Sequence, residues 1–375
     1  MNFDLNDEQE LLRDTARELL SRSYDPEKRN KVIESELGWS RDVWAKLAEV
    51  GLLGLSFAEE DGGMGAGAVE VGAVLTEVGR RLAPEPILDA VLLPGDLIAA
   101  VGNEEQRRKL LPQVAEGNTL LAYAHEEPGS RWPSIVVATK AEQGSGGWRV
   151  TGTKNPVRHG DCADVLVVSA NLPEGGMGLF LVDATVDGVT RKSYRTFDGL
   201  RGAQIELDGA AAEPLGDAVD ATAQIDAAAV RAQAALCAEA VGAMEEALRL
   251  TTDYLKTRKQ FGVPLAKFQT LTQRAADMYV SLELARSMSL YLTVSVADGR
   301  VDPVIAARAK LQIGRSARHI GQEAIQMHGG IGVTSEYPVS HYVARLTAIE
   351  RTFGTAADHL RVLTDQVTDY SRVEI

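Results

Sequence analysis

The sequence YLKTRKQFGVPLAKFQ, which runs from Tyr254 to Gln269, places side chains suited to phosphate beside two aromatic rings. Arg258 offers a planar, permanently charged fork that matches phosphate oxygens, and Gln269 can hydrogen-bond a nucleotide. Phe261 and Phe268 are candidates for an apolar wall. Each residue also has an ordinary explanation, because an arginine at a helix end neutralises the helix dipole and a phenylalanine packs in a core. The stretch alone therefore leaves both interpretations open.

A second motif, QMHGGIGVT from Gln326 to Thr334, favours the phosphate interpretation. Gly329 and Gly330 would let a backbone approach a diphosphate without a clash at Cβ. The alternative is that these glycines simply end a helix. His328 is expected to pack rather than to bind.

Composition and charge narrow the class of protein. The chain has 375 residues, 45% hydrophobic and 25% charged, which is typical of a soluble protein with more than one domain. Its net charge of −14 disfavours binding to nucleic acid or to an anionic membrane. We see no apolar run near the ~20 residues of a membrane span and no signal peptide at the amino terminus. Cys162 and Cys237 lack a metal-type spacing, so the sequence predicts a cytoplasmic protein with two free thiols and no metal site.

Hydrophobic periodicity divides the chain into three predicted domains, 1–119, 120–220 and 221–375. The first is helical, with Ser40 as a candidate N-cap and further helices over 69–82 and 104–116. The second contains short β-rich runs between turn signals, which indicate a barrel or sandwich. These runs include Ile135–Thr139, Trp148–Thr151, Val165–Val168 and Gly178–Val182. The third contains four long amphipathic helices, with Pro303 in the first turn of one and a break in the last near Gly354.

The helical, β and helical order and the two motifs resemble the acyl-CoA dehydrogenase family over nearly the whole chain. The resemblance implies a mostly α fold with an N-terminal helical domain, a middle β-barrel and a C-terminal four-helix bundle. It also implies an FAD shared across a subunit interface. One chain holds the isoalloxazine ring and supplies the base, and its neighbour contacts the ADP portion. The family's cofactor contacts fall on Arg258, Phe261, Phe268, Gln269, Gln326, Gly329, Gly330 and Thr355.

The chain departs from the family where the base should be. In the family a glutamate usually precedes a Gly-Thr pair and removes the substrate's α-proton while a hydride leaves the β-carbon for the flavin. Here Phe353 precedes Gly354 and Thr355, and a phenyl ring has no lone pair that accepts a proton. Some members carry the glutamate earlier, at a position that matches Ala232. Glu350 lies one helical turn from Phe353, roughly 5 Å away, which is too far to inherit the role.

Other acids and the ring-binding strand give no substitute. Glu239, Glu245 and Glu246 on the first bundle helix are expected to form a solvated face. In the ring-binding half, Glu126 replaces a hydroxyl residue of the family's Thr-Glu-Pro segment. Pro156 replaces an aromatic residue and Arg158 a second hydroxyl residue, so ring stacking and a backbone donor are lost.

The sequence therefore predicts a base-less subunit of a heteromeric, α2β2 acyl-CoA dehydrogenase. The partner would be a homologous chain that carries the catalytic glutamate. By resemblance to two-gene actinobacterial enzymes, the substrate would be an acyl-CoA, with CoA thioesters of steroid side chains as the best guess. An electron-transfer flavoprotein would accept the electrons. Two alternatives stay open: a self-sufficient homotetrameric dehydrogenase with a non-standard base, and an FAD-free scaffold or acyl-CoA-binding subunit.

Overall fold

The amino-terminal region folds into helices whose ends follow local capping chemistry. The computed structural model describes residues 5–133 and 135–366. As predicted, Ser40 caps a helix, because its hydroxyl accepts the backbone N–H of Val43 at 3.3 Å. The helices are α1 (Asp7–Ser23), α2 (Pro26–Glu34), α3 (Arg41–Glu49), α4 (Ala68–Arg81), α5 (Leu93–Val101) and α6 (Glu104–Ala115).

The middle region is a β-sheet whose strand pairings close on themselves. Its strands are β1 (Leu121–Ala124), β2 (Lys140–Gly144), β3 (Gly147–Arg158), β4 (Val165–Asn171), β5 (Met177–Asp183), β6 (Val189–Arg195) and β7 (Arg201–Pro214). β2 pairs with β3, β3 with β7, β7 with β5, β5 with β4, and β4 with β2. β1 adds to β4 in parallel, and β6 adds to β7. Alternating apolar side chains such as Val168 and Phe180 fill the interior.

One predicted strand is wrong. Ile135–Thr139 is β-rich in sequence, but the strand begins only at Lys140. The carboxylate of Glu127 accepts the backbone N–H groups of Ala138 and Thr139 at 2.7 and 3.0 Å. These donors therefore bond to a side chain instead of a neighbouring strand.

The carboxy-terminal region is helical, as the sequence predicts. Its elements are α7 (Thr222–Thr257), β8 (Lys259–Gln260), β9 (Val263–Pro264), α8 (Gln269–Ala297), α9 (Pro303–His328), α10 (Val339–Arg351) and α11 (Ala356–Asp365). Pro303 opens α9, and Asp302 caps it through the N–H of Val304 at 2.7 Å. The last predicted helix breaks between α10 and α11, and its predicted end lies outside the described residues. These observations confirm the predicted fold class.

The chain divides into two compact units. One contains the described parts of 1–20, 72–83 and 233–375, and the other contains 21–71 and 84–232. In the first unit, a Cβ at Gly79 would lie 1.9 Å from the carbonyl oxygen of Glu239, so glycine is required where α4 and α7 meet. The three-domain division remains a prediction. Within the described residues, no helix is long and apolar enough to cross a membrane.

Candidate functional site

A strained hairpin presents an exposed aromatic ring beside the end of α7. Strands β8 and β9 are joined by Phe261 and Gly262, which have φ values of +54° and +81°. Two left-handed residues define a tight hairpin turn that glycine or asparagine usually occupies. Phe261 is 92% exposed, and its ring meets that of Phe268 edge-on at 6.2 Å. The turn therefore holds an apolar ring in solvent at a conformational cost.

Arg258 and Gln269 flank this hairpin and are both exposed. Arg258 follows the last residue of α7, and its N–H donates to the carbonyl of Tyr254 at 2.8 Å. Its guanidinium forms no ion pair with any residue in the described part of the chain. The group is thus available to an external anion, although its position at the carbonyl end of α7 also suits the helix dipole.

At the carboxyl end of α9, the backbone of two successive glycines is exposed. Gly329 has a φ of +66° and ends the helix, and Gln326 is exposed one turn earlier. A Cβ added at Gly329 or Gly330 would meet nothing within 4 Å, so this face is open to an approaching group. His328 is buried between the rings of Tyr254 and Tyr337, at 4.5 and 4.8 Å, which matches the packing role predicted for it.

Phe353, at the position where the resemblance predicts a base, lies in a sharp corner between two helices. Phe353 and Gly354 join α10 to α11 with φ values of +57° and +93°. Glu350 accepts the N–H of Ala356 at 3.0 Å, so its carboxylate anchors the start of α11. The hydroxyl of Thr355 caps the same helix in a reciprocal pair with Asp358. Glu350 therefore has a structural partner, and Thr355 has a capping role in addition to the cofactor contact predicted for it.

Two buried titratable residues, Lys310 and His359, lie next to this corner. The ammonium group of Lys310 is fully buried and donates to the carbonyl of Ile349 near the end of α10 at 2.7 Å. His359 on α11 is also fully buried. Burial, and then the charge of Lys310, lower the pKa of His359 to about 4, while the nearby backbone of Phe353 and Gly354 opposes this. His359 is therefore neutral at physiological pH.

A cavity of about 490 Å³ opens beside this corner, between α9, α10 and the start of α11. Its polar lining consists of Arg318, Gln322, Thr347, Glu350, Arg351 and Thr355. Two arginines against one carboxylate make the lining positive, so the cavity suits an anionic or polar group better than an acyl chain.

The acids on α7 are not a solvated face, and that prediction is wrong. Glu239 and Glu246 are buried. Arg345 binds Glu239 through two hydrogen bonds of 2.6 and 2.8 Å, and Arg249 binds Glu246. Glu245 pairs with Arg80 and Arg286. Because each carboxylate is held by arginine, none is placed as a free base.

In the β-containing unit, the two charged replacements in the predicted ring-binding half bind each other. Glu126 follows β1, Arg158 ends β3, and their charged groups lie 3.5 Å apart. Tyr194 donates its hydroxyl to Asn155 at 2.9 Å, beside Pro156. Burial raises the pKa of Tyr194; the charge of Arg158 lowers it and that of Glu126 raises it, so this ring lies near both. Charged and proline side chains thus stand where the resemblance implies stacking and hydroxyl contacts.

A buried ion pair holds these two segments in place. Lys154 is fully buried, and its ammonium group donates to Glu127 at 2.8 Å, to the carbonyl of His125 at 3.1 Å and to the hydroxyl of Ser169 at 3.2 Å. Glu127 also accepts from Ala138 and Thr139, as described above. All polar groups of this cluster are satisfied, which is the condition under which a buried pair is tolerated.

Sequence reasoning missed part of this arrangement. His125 is stacked on Tyr123 with ring centroids 5.2 Å apart, and its Nδ1 lies 2.9 Å from the hydroxyl of Ser169. Burial, and then Lys154, lower its pKa to about 4. Asp96 on α5 binds Arg231 on α7 at 2.8 Å. No local pattern signals the His125–Ser169 and Asp96–Arg231 contacts, because their members are far apart in sequence and meet only through the fold.

An implied FAD fits one set of these residues and not the other. Arg258 and the open glycine face of α9 suit a pyrophosphate, because they combine a free cation with backbone that can be closely approached. The Glu126–Arg158 pair and Pro156 do not suit a flat aromatic ring. Among the described residues, the candidate ADP-binding positions thus suit the cofactor, while the predicted ring-binding positions hold an ion pair and a proline.

Comparisons with known proteins identify the family. A family model for the acyl-CoA dehydrogenase N-terminal domain matches residues 6–118, and one for the C-terminal domain matches 224–368. The acyl-CoA dehydrogenase FadE28 of Mycobacterium tuberculosis is 31% identical, over 86% of this chain and 92% of its own length. The chain belongs to the acyl-CoA dehydrogenase family of FAD-dependent oxidoreductases.

Two solved structures similar to the chain carry paired protein names, and one of them is described as a complex. A variant of the Tcur3481-Tcur3483 steroid ACAD is 33% identical with a TM-score of 0.88, and the match covers 97% of this chain and 98% of that one. The ChsE4-ChsE5 complex from Mycobacterium tuberculosis is 26% identical with a TM-score of 0.91, and the match covers 99% of this chain and 100% of that one.

Proposed function

We propose that this chain is the base-less subunit of a heteromeric acyl-CoA dehydrogenase and that it completes the FAD site of a homologous partner. The observation that carries the proposal is Phe353 at the family's base position, on a backbone corner that is otherwise fully built. General-base catalysis contributes typically 10²–10⁴-fold, so its loss leaves negligible turnover at this chain's own site.

The ring-binding half supports the same proposal. Glu126 and Arg158 pair with each other, and Pro156 offers neither a stacking ring nor a backbone N–H. The base and the ring site are therefore altered together, in two segments far apart in sequence. Changes in both segments are expected if the whole site has lost its role. A single isolated substitution would have changed only one of them.

The ADP-binding half supports the completing role. Arg258, Gln269, Gln326 and the two glycines Gly329 and Gly330 lie on the same unit and are exposed. Phe261 and Phe268 would form the apolar wall beside the nucleotide, and Thr355 would add a contact near the positive cavity. A partner chain that covers this surface would explain why the Phe261 ring is held in solvent. The partner would carry the catalytic glutamate in an α2β2 assembly.

One relative supports a proposal for the substrate class. The Tcur3481-Tcur3483 protein is described as a steroid ACAD, and its sequence identity to this chain is 33%. We therefore extend the proposal to α,β-dehydrogenation of an acyl-CoA, with CoA thioesters of steroid side chains as the first candidates. An electron-transfer flavoprotein would take up the electrons.

Flavin content tests the proposal. The chain should be purified alone and together with its homologous partner, and FAD absorbance compared with protein mass. We expect little flavin in the lone chain and one FAD per pair of unlike chains in the complex. One FAD per chain, with turnover by the lone chain, would establish the self-sufficient homotetramer instead. A complex that is active while its FAD content is unaffected by this chain would establish the scaffold.

A further inference from the structure

A short turn after β3 gathers three metal-ligating side chains that no part of the proposed function uses. His159, Asp161 and Cys162 each offer one ligand atom, and these atoms all lie within 4.8 Å of one another. The N–H of Cys162 donates to the carbonyl of His159 at 3.3 Å, which closes the turn and brings its first and last side chains together. Gly160 is required inside it, because a Cβ there would lie 2.7 Å from Val157.

One oxygen of the Asp161 carboxylate contacts an arginine, and the other has no hydrogen-bond partner. Oδ2 lies 3.3 Å from Nε of Arg201, and the side chain is 10% exposed. Oδ1 is buried and has no hydrogen-bond partner. A buried, unpartnered carboxylate oxygen is costly. A cation bound at Oδ1 would remove this cost and leave Arg201 to orient the ligand, as outer groups do in metal sites.

The surroundings of the thiol fit a soft metal better than a hard one. The three candidate ligand atoms are a thiol sulfur, an imidazole nitrogen and a carboxylate oxygen, whereas hard cations such as Mg²⁺ bind almost entirely through oxygen. Sulfur, imidazole and one carboxylate oxygen form the donor set that zinc prefers.

We propose that His159, Asp161 and Cys162 form a zinc-binding site, with water in the fourth position. Tetrahedral zinc sets its ligand atoms roughly 3.5 Å apart, so the three side chains close inward by about an ångström. The bound ion would fix the turn that follows Arg158. This site lies in the β-containing unit and is independent of the flavin assignment.

Metal content tests the site directly. Untagged protein, alone or in its complex, should be incubated with zinc, dialysed against metal-free buffer and analysed by mass spectrometry for metals. We expect about one zinc per chain. The zinc should be lost in Cys162→Ser and in Asp161→Asn and retained in Cys237→Ala, the control at the other cysteine. Zinc absent from the wild type, or equal in wild type and Cys162→Ser, would overturn the proposal.

A spectroscopic experiment on the wild-type protein tests the site even if the variants fail to fold. Replacement of zinc by Co²⁺ should produce a thiolate-to-cobalt charge-transfer band in the near ultraviolet. The Cys237→Ala variant should show the same band. Bound cobalt without a sulfur band would mean that the metal is adventitious and that Cys162 is not a ligand, which also overturns the proposal.

Discussion

Phe353 occupies a backbone position that an L-residue adopts only at a cost of about 1–2 kcal/mol. The corner persists because its neighbours hold it: Lys310 binds the end of α10 and Glu350 binds the start of α11. Under our proposal, the geometry that would aim a base is thus retained although Phe353 stands in its place. A single substitution at Phe353 can therefore test whether restoring a carboxylate is enough to restore activity.

We expect Phe353→Glu to leave this chain inactive. In our proposal the ring-binding half is also changed, and misplacing reacting groups by about 1 Å already costs ~10²-fold. The assay should combine Phe353→Glu with a partner whose own glutamate is replaced, and follow acyl-CoA dehydrogenation. Phe353→Gln is the control of matched shape. Substantial turnover with Glu and none with Gln would show that this chain holds a usable flavin and that our proposal is wrong.

Arg258→Ala is expected to weaken FAD binding by the complex about ten- to a hundred-fold, since a charge-assisted hydrogen bond contributes about 1.5–3 kcal/mol. Titration of the apo-complex with FAD measures the effect. Lys259→Ala, one residue along in β8, is the control and should leave the affinity unchanged. If both variants bind FAD like the wild type, Arg258 does not contact FAD and only interacts with the dipole at the carboxyl end of α7.

Among the elements, the β-domain depends most on contacts that no local pattern reveals. The runs in β3, β4 and β5 were predictable from alternating β-formers between turn signals, and the helices from their caps and apolar spacing. The run Ile135–Thr139 was not, because the carboxylate of Glu127 takes its backbone donors. Likewise, nothing near Glu239 in sequence announces Arg345, which lies on α10. Residue type and spacing predict elements and motifs, whereas pairing between distant side chains needs the fold.

Lys154→Met should lower the free energy of unfolding by about 3–5 kcal/mol, because it leaves the buried Glu127 carboxylate without its counter-charge. Chemical denaturation measures this loss. Adding Glu127→Leu should not restore full stability, since Ala138 and Thr139 would then lose their acceptor. The control is Lys140→Met on the exposed side of β2, expected within about 0.5 kcal/mol of wild type. Full recovery in the double variant would contradict the role assigned to Glu127.

For the molecule as a whole, the two units share a sensitivity to acid. His359 in one and His125 in the other are buried as neutral rings with pKa values of about 4. Their ordinary value is 6.5, so the unfolded chain takes up these protons first as the pH falls. The stability they contribute is complete above pH 6.5 and is lost progressively down to about pH 4. Both units are therefore expected to weaken over the same pH range.

We expect the free energy of unfolding to fall by up to about 3 kcal/mol per histidine between pH 6.5 and pH 4. Replacement of His359 or His125 by Gln should flatten this part of the curve, because glutamine does not titrate. Denaturant unfolding at several pH values measures the slope. An unchanged slope in both variants would show that neither ring is held neutral.

Limited proteolysis at the exposed tip of the β8–β9 hairpin can report whether the chain is bound to a partner. Chymotrypsin cleaves after phenylalanine, and Phe261 is the exposed aromatic of a short, strained turn. The lone chain should therefore be nicked there early in limited digestion, and a partner that covers the ring should protect it. Comparing the rate of this one cut with and without the partner would footprint the contact without any flavin or substrate. Equal rates would place the hairpin outside the interface.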